Sequence, residues 1–488
     1  MKFRTLTCVI ILAVLTIPTQ LTAQQIRYKL IDIPTLGGPA AIGQVDGQGI
    51  SQFINNPGVV VGGSDIDVPD PFCLNPGCFT PHAFRWKDGV LTDLGSLDGA
   101  SFSHATSVNA RGWITGGSFM SDFDPLKKQP VEHAVLWKDG KINDLGTLGT
   151  GLESAALYVN NPGEVVGFST FDTTPDPFSF LGAAIHAFIW RHGVMQDLGT
   201  LGGRDSFPAG GCNNQRAGLV AGASTTSSGE SHAFLWDNGT MTDIPTLGGT
   251  SAVAQCANNA GQVIGFSNLT GDEGCNTDNG CAVHTFSWDH GTLQDLGTLG
   301  GTSSIPVWLN NNGEAVGGAL TTGNEEVHAT LWKNGQITDL NRDGDCFSFA
   351  TGINSHHQII GNTFNCETGT FRMVLWRNGS IIDLNAATAS DSKLFLIEPD
   401  NINDRGEIVG RGVPPGCDNL DLCGHVFLLI PCDHAGNQQC EEHSDSARTA
   451  ATKQRHAARE FLDLSRARFR QPHQVSRARQ GNYILSPK

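Results

Sequence analysis

Short apolar runs alternate along residues 31–431 with turns built from Gly, Asn and Asp, and helical spacing of apolar positions is absent from this region. The stretch around residues 232–267 shows the pattern. "HAFLW" turns at Asn238-Gly239 into "TMTDI"; "SAVAQCANN" then leads through a Gly turn into "QVIGFS". Runs rich in Val, Ile, Phe and Trp, separated by Asn-Gly or Asp-Gly, predict β-strands joined as hairpins. Both alternations of "HAFLW" are apolar, Ala233 and Leu235 as well as Phe234 and Trp236. The predicted strands are therefore covered on both faces.

The pattern repeats. Segments beginning at His82, His133, His186, His232, His284 and His328 share the order His, Trp, turn, Asp, and degraded copies begin at Arg372 and His425. Successive starts are 51, 53, 46, 52, 44, 44 and 53 residues apart. A second recurring piece lies between them, as in "VNNPGEVVGFS" from Val159 and "INDRGEIVGRG" from Ile402. Four strands in each such period match a propeller blade. The chain ends are complementary: "IDIPTLGG" at 31–38 is a fourth strand with nothing before it, and "HVFLLIP" from His425 is a third strand with nothing after it. The predicted fold is an all-β propeller of eight four-stranded blades, with the last blade completed by the N-terminal strand. Seven blades or a stacked β-solenoid are the alternatives. The predicted divisions are a signal peptide at 1–23, the propeller at 24–431, and a disulfide loop with a basic, mostly disordered tail at 432–488.

The "HAFxW…DLGTLGG" pattern resembles the HAF-type extracellular repeat of exported bacterial proteins, over nearly the whole span from Ile31 to Pro431. The resemblance implies an exported repeat protein without catalytic residues to carry over.

The recurring histidine invites a catalytic or metal-binding reading, yet one histidine per blade cannot converge on one centre. The hairpin instead sets each histidine opposite a recurring aspartate. The expected structural pairs are His82 with Asp93, His133 with Asp144, His186 with Asp197, His232 with Asp243, His284 with Asp295 and His328 with Asp339. Arg372 with Asp383, and His425 with Asp32 across the chain ends, complete the set. The tryptophans at 86, 137, 190, 236, 288, 332 and 376 read as packing between blades, leaving Trp113 and Trp308 as candidates for a surface role. The "TLGG" glycines have no following helix and so read as turns, not as a phosphate cradle.

Charge and cysteine content narrow the setting. Residues 1–23 have a basic start, an apolar middle and a small-residue end at Ala23, the pattern of a signal peptide. Residues 24–447 carry a net charge of −27, which repels nucleic acid, whereas residues 448–488 carry +8. Twelve cysteines remain after Cys8, an even number suited to disulfides. The expected pairs are Cys73–Cys78, Cys212–Cys256, Cys275–Cys281, Cys346–Cys366, Cys417–Cys423 and Cys432–Cys440. Acidic groups such as Asp65/Asp67/Asp70, Asp122/Asp124 and Asp343/Asp345 could hold calcium but lack the spacing of an EF-hand. No nucleophile elbow or zinc-protease motif occurs.

These observations predict a secreted or periplasmic monomer with no cofactor, no metal, no transmembrane segment and no nucleic-acid partner. The expected function is non-catalytic binding of an extracellular protein or glycan through the variable loops between second and third strands, such as 64–81 and 169–185. The alternatives are a polysaccharide-acting hydrolase or lyase with carboxylates near the propeller axis, and a purely structural surface protein.

Overall fold

The structure, a computed structural model, describes residues 26–42, 52–71, 78–98, 101–125, 129–176, 179, 181–212, 215–271, 282–389 and 394–432. The predicted leader at 1–23 and nearly all of the tail lie outside the described residues. Strand dominates, with single-turn helices at Leu384–Ala387 and Leu420–Cys423. No helix among the described residues is long and apolar enough to cross a membrane.

The repeating unit is an antiparallel meander of four strands. In one, Gly248–Ala257 pairs with Val263–Leu269, which pairs with Val283–Asp289, which pairs with Thr292–Asp295. Separate sheets of the same order begin at Gly37–Ile42, Ser103–Val108 and Ser154–Val159. Two eight-stranded sheets each join two meanders through a single parallel bridge, Ser231 beside Ser251 in one and Val327 beside Phe347 in the other. The remaining sheet runs Thr388–Ala389, Tyr28–Asp32, His425–Pro431, Ile408–Val413, Phe395–Ile402. Its fourth meander strand therefore comes from the opposite end of the chain. This series of meanders is a β-propeller.

Local chemistry explains the meander. Asn238 and Gly239 both sit at positive φ, 47° and 105°, the turn whose twist matches the strands it joins. The first strand of most meanders carries a bulge, as between Ala105 and Ser107, Ala254 and Cys256, or Pro399 and Asn401. A bulge bends the strand and raises its twist. Apolar clusters fill the spaces between meanders. One joins Val409, Val426 and Leu428 of the last meander to Ala41, Val60 and Phe84 of the next and to Val135 and Trp137 beyond it. The recurring tryptophans stitch neighbours together: Trp137 Nε1 donates to Leu94 O at 3.0 Å, and Trp376 Nε1 to Leu340 O at 2.8 Å.

Polar seams run beside these clusters. Asn109 Nδ2 donates to Asn160 O, Asn310 Nδ2 to Asn354 O, and Asn354 Nδ2 to Asn403 O, each at 2.9–3.1 Å. Ser118, Ser169 and Ser267 accept from Leu97, Leu148 and Leu247 N, tying each "TLGG"-type connection into the following meander. Neither seam was expected from sequence, where these residues read as turns.

Three cysteine pairs stand at disulfide distance: Cys212–Cys256, Cys346–Cys366 and Cys417–Cys423, with Cα separations of 5.7, 5.8 and 5.8 Å. Cys73, Cys275, Cys281 and Cys440 lie outside the described residues, and with them the three remaining expected pairs. Trp308, expected on the surface, is buried in a first strand within an apolar cluster. Trp113 is half-buried, with the Lys138 ammonium 3.9 Å above its ring.

Candidate functional site

The recurring histidines occupy equivalent places. Each approaches the recurring aspartate through Nδ1: His82–Asp93 at 3.0 Å, His133–Asp144 at 2.9 Å, His186–Asp197 at 2.9 Å and His232–Asp243 at 2.8 Å. His284–Asp295, His328–Asp339 and His425–Asp32 follow at 2.9, 2.7 and 2.9 Å. The carboxylate is held on a second side as well, since Asp93, Asp144, Asp197 and Asp295 accept from the backbone N–H two residues on, at 2.7–2.8 Å. Burial works to raise the Asp93, Asp144 and Asp197 carboxyls, but the histidine and backbone bonds outweigh it and hold them low.

The degraded copy departs from expectation. Arg372 does not take Asp383 as its hydrogen-bonding partner; its Nη1 bonds Asp345 at 3.1 and 3.2 Å. Asp383 instead accepts from Asn385 N and Ala386 N, capping the helix at Leu384–Ala387. A guanidinium reaches farther than an imidazole, and this copy has a helix to cap where the others have an extended connection.

A different set of residues breaks the repeat. At the first-strand position equivalent to His104, one residue ahead of the last pair before the bulge where there is one, five meanders place Ala155, Phe207, Val253, Ile305 and Phe349. Two others place His104 and Glu398 at that position, on either side of the meander that begins at Gly37. Glu398 is buried and bonded to Arg411, Nε at 2.9 Å, and Arg411 Nη1 also reaches Asp421 at 3.0 Å. That cluster is internally satisfied.

His104 is the other exception. It is fully buried, with Nδ1 3.8 Å from Glu132 Oε1. The backbone N–H of Glu132 donates in turn to Glu153 Oε2, from the next meander, at 3.0 Å. Gly117 faces His104 across the sheet, and a Cβ there would collide with Glu132 Oε1 and His104 Cε1. Glycine makes the room that the pair occupies. Burial lowers the His104 pKa to about 3, so the imidazole is neutral near pH 7. Phe102 lies against this group, 5.2 Å from the His104 ring and 4.8 Å from Phe119. Phe123, on the same second strand as Phe119, is exposed.

The neighbouring meander adds Asp65, on the strand Val60–Pro69. This carboxyl is pushed up to about 6 by burial; a bond from Ala40 N–H opposes the rise and the nearby Asp70 adds to it. A neutral imidazole and two buried carboxyl groups on the second and third meanders, with a carboxyl raised to about 6 on the first, make up a polar sector of three successive meanders. Such groups can hold and move protons near neutrality. Among the described residues no group of three or more His, Cys, Asp or Glu is arranged to hold a metal ion.

No protein-family model matches the chain, and no curated protein matches it in sequence. Solved structures do match. The β-propeller domain of the Trilobed protease from Pyrococcus furiosus is 7% identical, with 71% of this chain and all of that one covered, at a TM-score of 0.40. Pyrococcus horikoshii acylaminoacyl peptidase is 10% identical over 78% of this chain, at a TM-score of 0.41, and the match spans 60% of the peptidase. Porphyromonas gingivalis dipeptidyl peptidase 4 is 8% identical, covering 72% of this chain and 64% of its own, at a TM-score of 0.35. By their names these are the propeller domain of a protease and two peptidases, and they do not bear out the expected non-catalytic binding protein; the likeness to this chain is one of fold, and the function is argued below from the polar sector itself.

Sequence reasoning passed over His104, Glu132 and Glu153. A signal was present: His104 stands where the other copies carry mostly apolar residues. It was masked because Glu132 directly precedes a repeat histidine and Glu153 directly precedes a repeat serine.

Proposed function

We propose that this chain is an exported, HAF-type repeat propeller that hydrolyses glycosidic bonds of an extracellular polysaccharide. The observation that carries the reading is the buried His104–Glu132 pair, with Glu153 accepting from Glu132 N–H, together with a buried carboxyl of the preceding meander, Asp65, raised to about 6. Glycoside hydrolysis needs one carboxyl that is protonated near neutrality and one that is ionised. Asp65 fits the acid and Glu132 the base, with His104 as a positioning residue for Glu132. The exposed Phe123 supplies an apolar surface for a sugar face at the same side.

The scaffold we infer has eight blades closed into a ring. One strand pairing that joins the chain ends within the last meander, and three hydrogen bonds between the first and last meanders, support it. Tyr28–Asp32 pairs with His425–Pro431. Asn403 Nδ2 donates to Asn55 O at 3.0 Å, Phe53 N to Asn401 Oδ1 at 2.6 Å, and Ala41 N to Gly424 O at 2.8 Å. Disulfides and the basic, apolar, small-residue order of residues 1–23 support export.

Reducing-end release from a panel of neutral and acidic polysaccharides tests the activity. The purified chain is expected to release sugar ends, and Asp65→Asn and Glu132→Gln to lose most of that rate. Release no greater than from heat-treated protein, or full rate in both variants, refutes the assignment.

A further inference from the structure

Among the described residues, seven large apolar side chains are exposed, and five of them lie on the side of the long loops, in four consecutive meanders. Val68, Phe123, Leu152, Phe171 and Leu422 are 45, 56, 36, 40 and 39% exposed. Leu422 belongs to the last meander, whose Gly424 O accepts from Ala41 N of the first at 2.8 Å. Val68 stands on the second strand of the first meander and Phe123 on that of the second. In the third, Leu152 N donates to Thr170 Oγ1 at 2.9 Å, which sets Leu152 beside Phe171. Exposed apolar residues concentrated in one sector mark a surface that something covers.

Acid accompanies each of the five along the chain. Asp67 precedes Val68, Asp122 and Asp124 flank Phe123, Glu153 follows Leu152, Asp172 follows Phe171 and Asp421 precedes Leu422. Segments 64–69, 118–125, 148–153, 169–176 and 417–424 hold no lysine or arginine. Arg204 and Arg411 reach in to Asp176 and Asp421 at 2.8 and 3.0 Å, whereas Asp67 and Asp122 are exposed. The occupant that complements this surface is amphipathic and cationic.

This chain carries such a segment. In residues 448–470, Arg448, Arg455, Arg459, Arg466 and Arg470 recur at intervals of 7, 4, 7 and 4, and Ala451, Ala458, Leu462 and Phe469 at 7, 4 and 7. Wound as a helix, these spacings put an arginine stripe beside an apolar stripe. The segment has seven Lys/Arg against Glu460 and Asp463. It can also reach. The strand His425–Pro431 carries the chain about 20 Å away from the loop side. Even with Cys432 bridged to Cys440, residues 441–447 extend about 23 Å, enough to return. A helix over 448–470 is about 34 Å long and crosses several meanders. The tether keeps its local concentration high.

We propose that residues 448–470 dock as an amphipathic helix on this surface, with Leu462 and Phe469 against Phe123 and Phe171 and the arginines toward Asp67, Asp122 and Asp172. The docking does not depend on hydrolysis. Where the polar sector acts on a polysaccharide, the helix covers Phe123 and competes with it.

Two measurements on the full chain test this without reference to activity. Amide exchange across 448–470 is expected to be slower in wild type than in Leu462→Asp/Phe469→Asp by roughly tenfold. Phe123→Ser/Phe171→Ser should release the segment equally; should that pair fail to fold, the tail variant decides, since it leaves the propeller sequence intact. Carbodiimide joins an ammonium to a carboxylate in contact, and Arg459→Lys supplies the ammonium on the arginine stripe. Coupling from position 459 is expected to fall within 64–70, 118–125 or 169–176 at low salt. Its yield should drop severalfold near 1 M salt, where the Debye length is about 3 Å. Unprotected exchange throughout 448–470 in wild type overturns the proposal, as does protection unchanged in the tail variant. Coupling absent from those three segments overturns it too. In a mixture of nitrogen-14 and nitrogen-15 chains, coupling between unlike copies assigns the occupant to a second molecule and also overturns it.

Discussion

Replacing Asp65 with asparagine separates the cost of a buried charge from the value of its hydrogen bond. The carboxyl is raised from 3.8 to about 6, chiefly by burial, and Asp65 is 7% exposed. A carboxyl raised in the fold is protonated more readily there than in the unfolded chain, so its ionisation opposes folding. Its contribution is most favourable below the unfolded value, declines as pH rises from 3.8 through about 6, and is level above that. Two pH units at ~1.4 kcal/mol each give a cost of about 3 kcal/mol once the group is ionised. Asparagine keeps the shape and an acceptor for Ala40 N–H, which lies 3.2 Å from Oδ2, and removes the charge. Asp65→Asn is therefore expected to be more stable than wild type by about 2–3 kcal/mol near pH 8, and about equal to it near pH 4. Urea unfolding followed by tryptophan fluorescence at several pH values measures the difference. A variant whose advantage does not grow with pH, or that is less stable than wild type near pH 8, refutes the reasoning. The same substitution removes the proposed acid, so a more stable but inactive protein is the combined signature of a strained functional group.

Other outcomes follow from the packing and the pairs. Gly117→Ala should displace Glu132 or His104 and destabilise by about 1–3 kcal/mol, with an accompanying loss of hydrolysis; an unaltered melting curve and rate would show the group is not crowded. His104 is lowered to about 3, so its contribution is present above pH 6.5 and is lost as pH falls from there toward 3; His104→Gln should flatten that acid limb in denaturant titrations. Phe234→Ala, at a fully buried third-strand position, should cost about 3–5 kcal/mol by chemical denaturation. The His–Asp pairs are partly exposed, so Asp93→Asn should cost only about 0.5–1 kcal/mol, present above the usual carboxyl range and vanishing in acid, since the folded Asp93 pKa is lowered. A loss for Asp93→Asn that persists undiminished in acid would assign the aspartate a role other than charge.

What the chain determines by itself is local and repeated. Asn238-Gly239 and its counterparts dictate hairpins because both turn residues must adopt positive φ, and the recurrence of four such strands makes a meander legible without any tertiary information. The approach of His232 to Asp243 follows from that hairpin as well, since both residues belong to one turn of the chain. What only the tertiary structure decided crosses from one meander to another. Asn109 reads as a turn residue until Asn160 O of the next repeat is placed 2.9 Å from its amide. Glu153 reads as a residue of a connection until it meets Glu132 N of the preceding repeat. Trp332 looks like any other repeat tryptophan, and only the position of its neighbour leaves its N–H without an acceptor. The physical reason is the same in each case. Burial and hydrogen bonding between strands of different repeats depend on how the sheets stack, and a repeating sequence shows the rule of stacking but not the places where it is broken.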